Sequence, residues 1–313
     1  MKIVISGASG FLGSWITRVL SRNHEIIALV RPESNTSWIS EIQNIKIIRE
    51  KSDLWHETIQ KINSDALILC DWEGVGNQDR NSKEQFLNVF RLNKIVESLA
   101  NSKTKIVLGI GSQAELGPIS EIITESALDN PTTLYGEAKV KSRLSLEAAL
   151  KDSDVRFVWM RIFSIYGPFD NGNWLIPNLI DTLIAGNRMS LTKCEQEWSY
   201  LHAYDLANAF ECAIINESIC GIVNVGNPQT IILKDAVQEV AAQLQSSGLL
   251  DFGKVPYRDD QVMKMKPACE TLSSFQWSPQ VGFGEGIRQT ILWKKTKQLS
   301  SLRTKTGLEL DFS

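Results

Sequence analysis

The chain reaches a glycine-rich turn almost as soon as it begins, directly between a strand-like and a helix-like segment. Lys2 to Ser6 is a short apolar run rich in β-branched residues, Gly7-Ala8-Ser9-Gly10-Phe11-Leu12-Gly13 follows at once, and from Gly10 to Ser21 the apolar residues take helical spacing. Such a turn must reverse the backbone sharply and let it come close to a bound pyrophosphate, and glycine allows both. The helix start then presents free N–H groups and a partial positive charge to the phosphates. Glycine triplets also occur in purely structural turns, so it is the position after an N-terminal strand that selects the phosphate-binding reading. Gly7, Ser9, Gly10, Phe11, Leu12 and Gly13 are accordingly the first candidate cofactor residues.

The pattern that opens the chain then repeats. Strands are expected at Glu25 to Val30, Ile45 to Ile48, Ala66 to Cys70 and Lys105 to Ile110, with helical segments between most of them, and this alternation specifies an α/β fold, a parallel sheet with helices on both faces. Val155 to Met160 and Gly221 to Val225 continue the sheet. Between them, Tyr166 to Tyr200 has its own turns and reads as an excursion into a smaller lobe. A second excursion runs from about Asn227, with helices near Leu233 to Leu244 and Gly284 to Lys295. The expected organisation is a dinucleotide-binding domain of residues 1–165 plus about 201–226, and a smaller substrate-binding α/β lobe of about 166–200 plus 227–301. Residues 302–313 read as a poorly anchored tail.

Composition narrows the function classes. The 313 residues carry a formal charge of −3 spread over both signs without a basic block, which points away from nucleic acid and from a membrane surface and toward a small-molecule substrate. The five cysteines form no CxxC or Cys/His cluster, and with only three histidines no catalytic metal is expected. No apolar run approaches the ~20 residues that cross a bilayer, and the N-terminus lacks the shape of a signal peptide, so a cytoplasmic location is expected.

Two further motifs carry chemistry. Tyr135-Gly136-Glu137-Ala138-Lys139 places a phenol and an ammonium four residues apart on a predicted helix, hence on one face. A tyrosine titrates near pH ~10, and a neighbouring cation stabilises its phenolate and brings proton transfer into the working range. Ser112, in Gly111-Ser112-Gln113-Ala114-Glu115-Leu116-Gly117-Pro118, follows the fifth strand at its C-terminal end, where ligands of such sheets bind, and can hold a substrate oxygen beside the tyrosine.

The GxxGxxG turn, Ser112 and the YxxxK pair, in this order, resemble the extended short-chain dehydrogenase/reductase family of nucleotide-sugar epimerases, dehydratases and reductases. The resemblance covers nearly the whole chain, through Arg161-Ile162-Phe163-Ser164-Ile165-Tyr166-Gly167-Pro168, Tyr200-Leu201-His202-Ala203-Tyr204-Asp205, Asn224-Val225-Gly226 and Trp277-Ser278-Pro279. It implies a Rossmann-type doubly wound sheet, a nicotinamide cofactor that carries the hydride, and a nucleotide-diphosphate sugar as substrate. By the same resemblance Tyr135 is the general acid/base, Lys139 lowers its pKa and contacts the nicotinamide ribose, and Ser112 positions the oxygen. Family members commonly form homodimers through helices beside the YxxxK segment.

Departures from the family are as informative. Where its dehydratases carry Thr-Asp-Glu, this chain has Ser112-Gln113-Ala114, which argues against 4,6-dehydration, and Asp170 to Leu175 supplies none of the histidine used by the bifunctional epimerase/reductases. Leu69-Cys70-Asp71-Trp72-Glu73-Gly74-Val75 replaces the usual His-Leu-Ala-Ala, and puts an unexplained carboxylate beside an anionic cofactor. After the second strand, Leu29-Val30-Arg31-Pro32-Glu33 offers Arg31 to a 2′-phosphate, favouring NADP(H); a surface arginine beside Glu33 as ribose acceptor is the NAD(H) alternative. Arg258 resembles the family's C-terminal arginine for the substrate diphosphate, whereas Trp198 stands at the other usual arginine position. Ser164, Asn178 and Gln196 are secondary substrate-side candidates.

The expected reaction is NADPH-dependent reduction of a 4-keto group on a nucleotide-linked deoxysugar, since the Gly-Ser-Gln-Ala-Glu and Pro-Thr-Thr-Leu-Tyr-Gly segments look like those of sugar 4-ketoreductases. A 4-epimerase, which uses the same serine, tyrosine and lysine, is the alternative. A non-catalytic dinucleotide-binding regulator is the alternative of another class, and the presence of both Tyr135 and Lys139 argues against it.

Overall fold

A computed structural model describes residues 1–99, 102–119, 121–258 and 261–312. Its centre is a seven-stranded parallel sheet of β1 (Lys2–Ser6), β2 (Glu25–Val30), β3 (Ile45–Arg49), β4 (Ala66–Leu69), β5 (Ile106–Ser112), β6 (Arg156–Ile162) and β7 (Gly221–Val225), in the spatial order β7-β6-β5-β4-β1-β2-β3. The side-chain period of two sends Ile3, Ile5, Ile26, Ala28, Ile68 and Leu108 to one apolar cluster, and Val4, Ile27, Leu29, Leu67 and Val107 to another. Both faces are thus buried, which is why these strands read as unbroken apolar runs rather than alternating ones.

One face is covered by α1 (Phe11–Leu20), and the other by α2 (Trp55–Ile62), α3 (Gln85–Glu97) and α4 (Leu134–Leu150). In the second half of the chain come α5 (Leu175–Ile184), α6 (Ala203–Ile215), α7 (Leu233–Gln243), α8 (Glu270–Ser274) and α9 (Phe283–Thr296). Helix α6 joins α1 on its face of the sheet, while α5, α7 and α9 share a separate core of Leu179, Ile180, Val237, Val240, Ile287 and Ile291. The sheet order reverses between β1 and β4, so a crevice opens beyond their C-terminal ends, where open α/β sheets bind ligands. No helix among the described residues is long and apolar enough to cross a membrane.

The C-terminus differs from expectation. Leu302–Arg303 pairs antiparallel with Glu309–Leu310, Leu302 is buried, and the buried Phe312 meets Trp15 edge-on with ring centroids 5.4 Å apart. Arg18 also donates from Nη1 to the Phe312 carbonyl at 3.4 Å. The segment is a docked hairpin rather than a loose tail. Its anchors are single apolar residues separated by a polar turn, too sparse to produce periodicity.

Candidate active site

Helix α1 begins at Phe11, right after the glycine turn, with no acidic side chain in its first turn to compete for an anion. Its first amides have no intrahelical acceptor. The helix can start this close to the strand because Gly13 has no side chain: a Cβ there would stand 2.3 Å from the Gly7 carbonyl oxygen. A cleft of about 530 Å³ opens at this point, lined by Gly7, Ser9, Gly10, Arg31, Trp38 and Asn171 among others. Phe11 and Leu12 pack against the main core and Gly13 is buried, so of the turn's later residues it is the backbone that can meet a ligand.

Asp71 also lines this cleft, and its charge is already answered. One carboxylate oxygen accepts from the Ser6 hydroxyl and the other from Arg91 Nε at 2.9 Å. The donors present therefore fit a dinucleotide's pyrophosphate despite the carboxylate. Arg31 stands at the rim between Glu33 (3.3 Å) and Glu73 (3.5 Å), and Arg91 reaches the same Glu73 oxygen at 3.5 Å.

The Ser112, Tyr135 and Lys139 side chains come together at the end of β5. Ser112 is the last residue of that strand and caps the following turn, its Oγ accepting from the Ala114 N–H at 3.2 Å while its own N–H donates to Glu115 Oε1 at 2.6 Å. Helix α4 is capped by the Thr133 hydroxyl, which accepts from the Gly136 N–H at 3.1 Å. Its first turn lies against the Ser112 turn so closely that a Cβ on Gly136 would stand 2.2 Å from the Ala114 carbonyl oxygen. That contact delivers Tyr135 to Ser112. One turn on, Lys139 Nζ donates to the Ile110 carbonyl at 2.7 Å.

All three side chains are buried, at 6%, 8% and 3% exposure, so the protonation of Tyr135 and Lys139 depends strongly on their surroundings. Burial pushes the Tyr135 phenol up, while the neighbouring Ser112 hydroxyl and the Arg80 guanidinium, 5.2 Å from its ring centroid, pull it back down. Burial lowers Lys139 to about 7, against the opposing pull of Glu115, Asp71 and Cys70. Burial thus favours the neutral form of both groups and drives their pKa values apart, the phenol upward and the ammonium downward.

On the expected substrate side, Trp198 Nε1 donates to the Ser164 hydroxyl at 2.9 Å. Gln196 is buried, with no partner for its Oε1 among the described residues. Asn178 on α5 and Arg258 are exposed. His202 Nδ1 accepts from the Tyr204 N–H at 3.2 Å and burial lowers its pKa to about 3, so it caps α6 as a neutral ring. Asp205, raised to about 7 by burial, accepts from the Gln280 and Val281 N–H groups at 2.9 and 3.0 Å.

Several residues at the site carry no sequence signal. Trp38, Asn171 and Arg91 line the cleft, and Trp72 and Arg80 flank Tyr135, yet none belongs to a spaced motif. The only hint was the departure of residues 69–75 from the family pattern.

Comparison with known proteins agrees with this geometry. The chain is 22% identical over 312 residues to a CDP-abequose synthase of Salmonella muenchen, covering 94% of this chain and 98% of that protein. It is 22% identical over 313 residues to a dTDP-4-dehydro-6-deoxyglucose reductase of Escherichia coli, covering 92% and 96%. Among solved structures, UDP-N-acetylglucosamine 4-epimerase from Methanobrevibacter ruminantium M1, in complex with UDP-N-acetylmuramic acid, superposes with a TM-score of 0.86 at 19% identity, over 95% of this chain and 99% of that one. Residues 3–226, from β1 through the end of β7 and including the phosphate turn, Ser112, Tyr135 and Lys139, match the model of the NAD dependent epimerase/dehydratase family, and the chain belongs to that family, in the extended short-chain dehydrogenase/reductase group.

Proposed function

We propose that the enzyme uses NADPH to reduce a 4-keto group on a nucleotide-linked deoxysugar. The observation that carries this reading is one phenol and one ammonium gathered beside Ser112, with no uncommitted carboxylate next to them among the described residues. Tyr135 meets Ser112 and Lys139 there, whereas the turn after Ser112 offers Gln113 and Ala114 where dehydratases have acidic residues. Glu115, next in line, is buried and committed to Ser112, Trp159 and Arg161. The name of the Escherichia coli relative supports a deoxysugar substrate and a reductive step, and that of the Salmonella relative a nucleotide-linked sugar.

When bound, the reduced nicotinamide supplies a hydride to the carbonyl carbon. The Tyr135 O–H gives its proton to the carbonyl oxygen as that oxygen becomes an alkoxide, the Ser112 hydroxyl holds the same oxygen, and the Lys139 ammonium stabilises the phenolate left behind. Gly7, Ser9, Gly10 and the α1 amides would hold the pyrophosphate. Residues 1–165 with 201–226 are assigned the cofactor, and 166–200 with 227–301 the sugar nucleotide, with Arg258 for its diphosphate and Ser164, Asn178 and Gln196 as further contacts. The test is to incubate the purified protein with a panel of nucleotide-linked 4-ketosugars and follow NADPH oxidation. One NADPH consumed per alcohol formed is expected, while sugar inversion without net consumption would establish the 4-epimerase instead.

Cofactor preference is assigned to Arg31. Its contacts with Glu33 and Glu73 are between exposed groups, each worth about 0–1 kcal/mol, whereas a charge-assisted pair with a 2′-phosphate contributes roughly 1.5–3 kcal/mol. NADPH should therefore bind about tenfold or more tighter than NADH, and Arg31→Ala should erase the difference. Equal affinities of the wild type for the two cofactors in calorimetry would rule the assignment out.

A homodimer is proposed through α3 and α4, which pack side by side and leave Leu87, Phe90 and Leu144 half or more exposed. Sedimentation should show a dimer at micromolar concentration and a monomer for Leu87→Glu combined with Phe90→Glu; a monomeric wild type would refute it.

A further inference from the structure

The residues that follow β4 place an indole against both members of the Tyr135–Lys139 pair. Lys139 Nζ stands 3.6 Å from the centroid of the Trp72 ring, and the same ring meets Tyr135 edge-on, with centroids 5.9 Å apart and planes at 84°. The indole is locked in place: its N–H donates to Gln85 Oε1 at 2.8 Å, and the buried Gln85 in turn donates to the carbonyls of Gly74 at 2.6 Å and Asp79 at 3.0 Å.

The electrostatics around Lys139 give that indole a task. Glu115 faces Lys139 from the turn after β5, and Asp71 and Cys70 face it from the end of β4. Tyr135, on the same helix, is a neutral phenol, with Arg80 beyond its ring. Glu115 is shared with Arg161, and Asp71 with Arg91 and Ser6. Among the described residues no carboxylate pairs directly with Lys139, so the closest group that favours its charged form, apart from the Ile110 carbonyl, is the π face of Trp72.

We propose that Trp72 is a positioning residue for Lys139, its ring holding the ammonium charged and aimed beside the Tyr135 phenol. The proposal rests on the assignment of Tyr135 and Lys139 as the proton-transferring pair. The sign of its effect follows from which form the ring favours. A cation over an aromatic face is stabilised and a neutral amine much less so, hence removing the ring lowers the Lys139 pKa, already brought down to about 7 by burial. Lys139 is then charged over a narrower range, and the alkaline limb of any pH–rate profile moves to lower pH.

The amine can be titrated directly by NMR in protein labelled at its lysine side chains, with the Lys139 signal assigned by its loss in Lys139→Met. Trp72→Leu should lower the Lys139 pKa by roughly 1 unit, and Trp72→Phe, which keeps a π face, should recover most of that shift. An unchanged pKa in a folded Trp72→Leu protein overturns the proposal. If Trp72→Leu fails to fold, the wild type alone decides, because a lysine seated over an indole has its ε-methylene protons shifted upfield by the ring, and an unshifted Lys139 signal overturns the contact itself. Neither readout needs a substrate. Failure here is therefore distinguishable from failure of the ketoreductase reading, which is tested by turnover of the 4-ketosugar panel.

Discussion

Tyr135→Phe should lose about 10²- to 10⁴-fold in turnover while cofactor affinity stays close to that of the wild type. The substitution removes one oxygen and leaves the ring in place between Trp72 and Arg80, so the packing around it survives. What disappears is the hydroxyl assigned as the proton donor. Lys139→Met makes a useful contrast. It also removes the charge proposed to stabilise the phenolate, takes away the donor to the Ile110 carbonyl, and removes a contact assigned to the nicotinamide ribose. Its activity should fall with a measurable weakening of cofactor binding. Steady-state kinetics on an authentic substrate, together with cofactor titration by calorimetry, separate the two phenotypes. Near-wild-type turnover in Tyr135→Phe would show that another group donates the proton.

The parts of this enzyme that were legible in its sequence are those whose signal is local. Strands β1, β2 and β4 are buried on both faces and announce themselves as apolar runs, and the phosphate turn, Ser112 and the YxxxK pair are short motifs at fixed spacing. Strand β5 was harder to bound. It extends through Ser112 rather than stopping at Ile110, because Gly109 and Gly111 interrupt its apolar run; the space they leave is filled by the Trp159 ring. Trp72, Arg80 and Arg91 were invisible as site residues for a different reason. Each acquires its meaning from partners distant in sequence, as when Arg80 meets Tyr135 and Trp174, or Arg91 neutralises Asp71. The unexplained aspartate at position 71 is the clearest case. Its charge makes sense only after α3 has folded back over the cleft. Arg31 shows the opposite limit, since the structure places it at the cleft rim but between two glutamates, with which a 2′-phosphate would have to compete for it.

Glu115→Ala should destabilise the protein by about 3–5 kcal/mol, the usual consequence of breaking a buried ion pair and leaving one charge uncompensated. Glu115 and Arg161 are both fully buried, and Arg161 Nε lies 3.2 Å from Glu115 Oε2. The same carboxylate takes the Trp159 indole N–H at 3.0 and 3.1 Å and the Ser112 N–H at 2.6 Å. Removing it strands all three donors. The only other carboxylate near Arg161 among the described residues is that of Asp129, at 3.5 Å and itself engaged by Arg143, so little compensation is at hand. Glu115→Gln keeps the shape and one acceptor oxygen but not the charge, and should fall between the two. Because Ser112 loses the partner that fixes its backbone, whatever folded Glu115→Ala protein can be prepared should also be impaired in turnover, although Glu115 itself touches no reacting atom. Urea unfolding followed by circular dichroism measures the first effect through the shift in midpoint at constant slope. An unchanged midpoint would mean that Arg161 finds another counter-charge, and that the anchor of the Ser112 turn lies elsewhere than in this carboxylate.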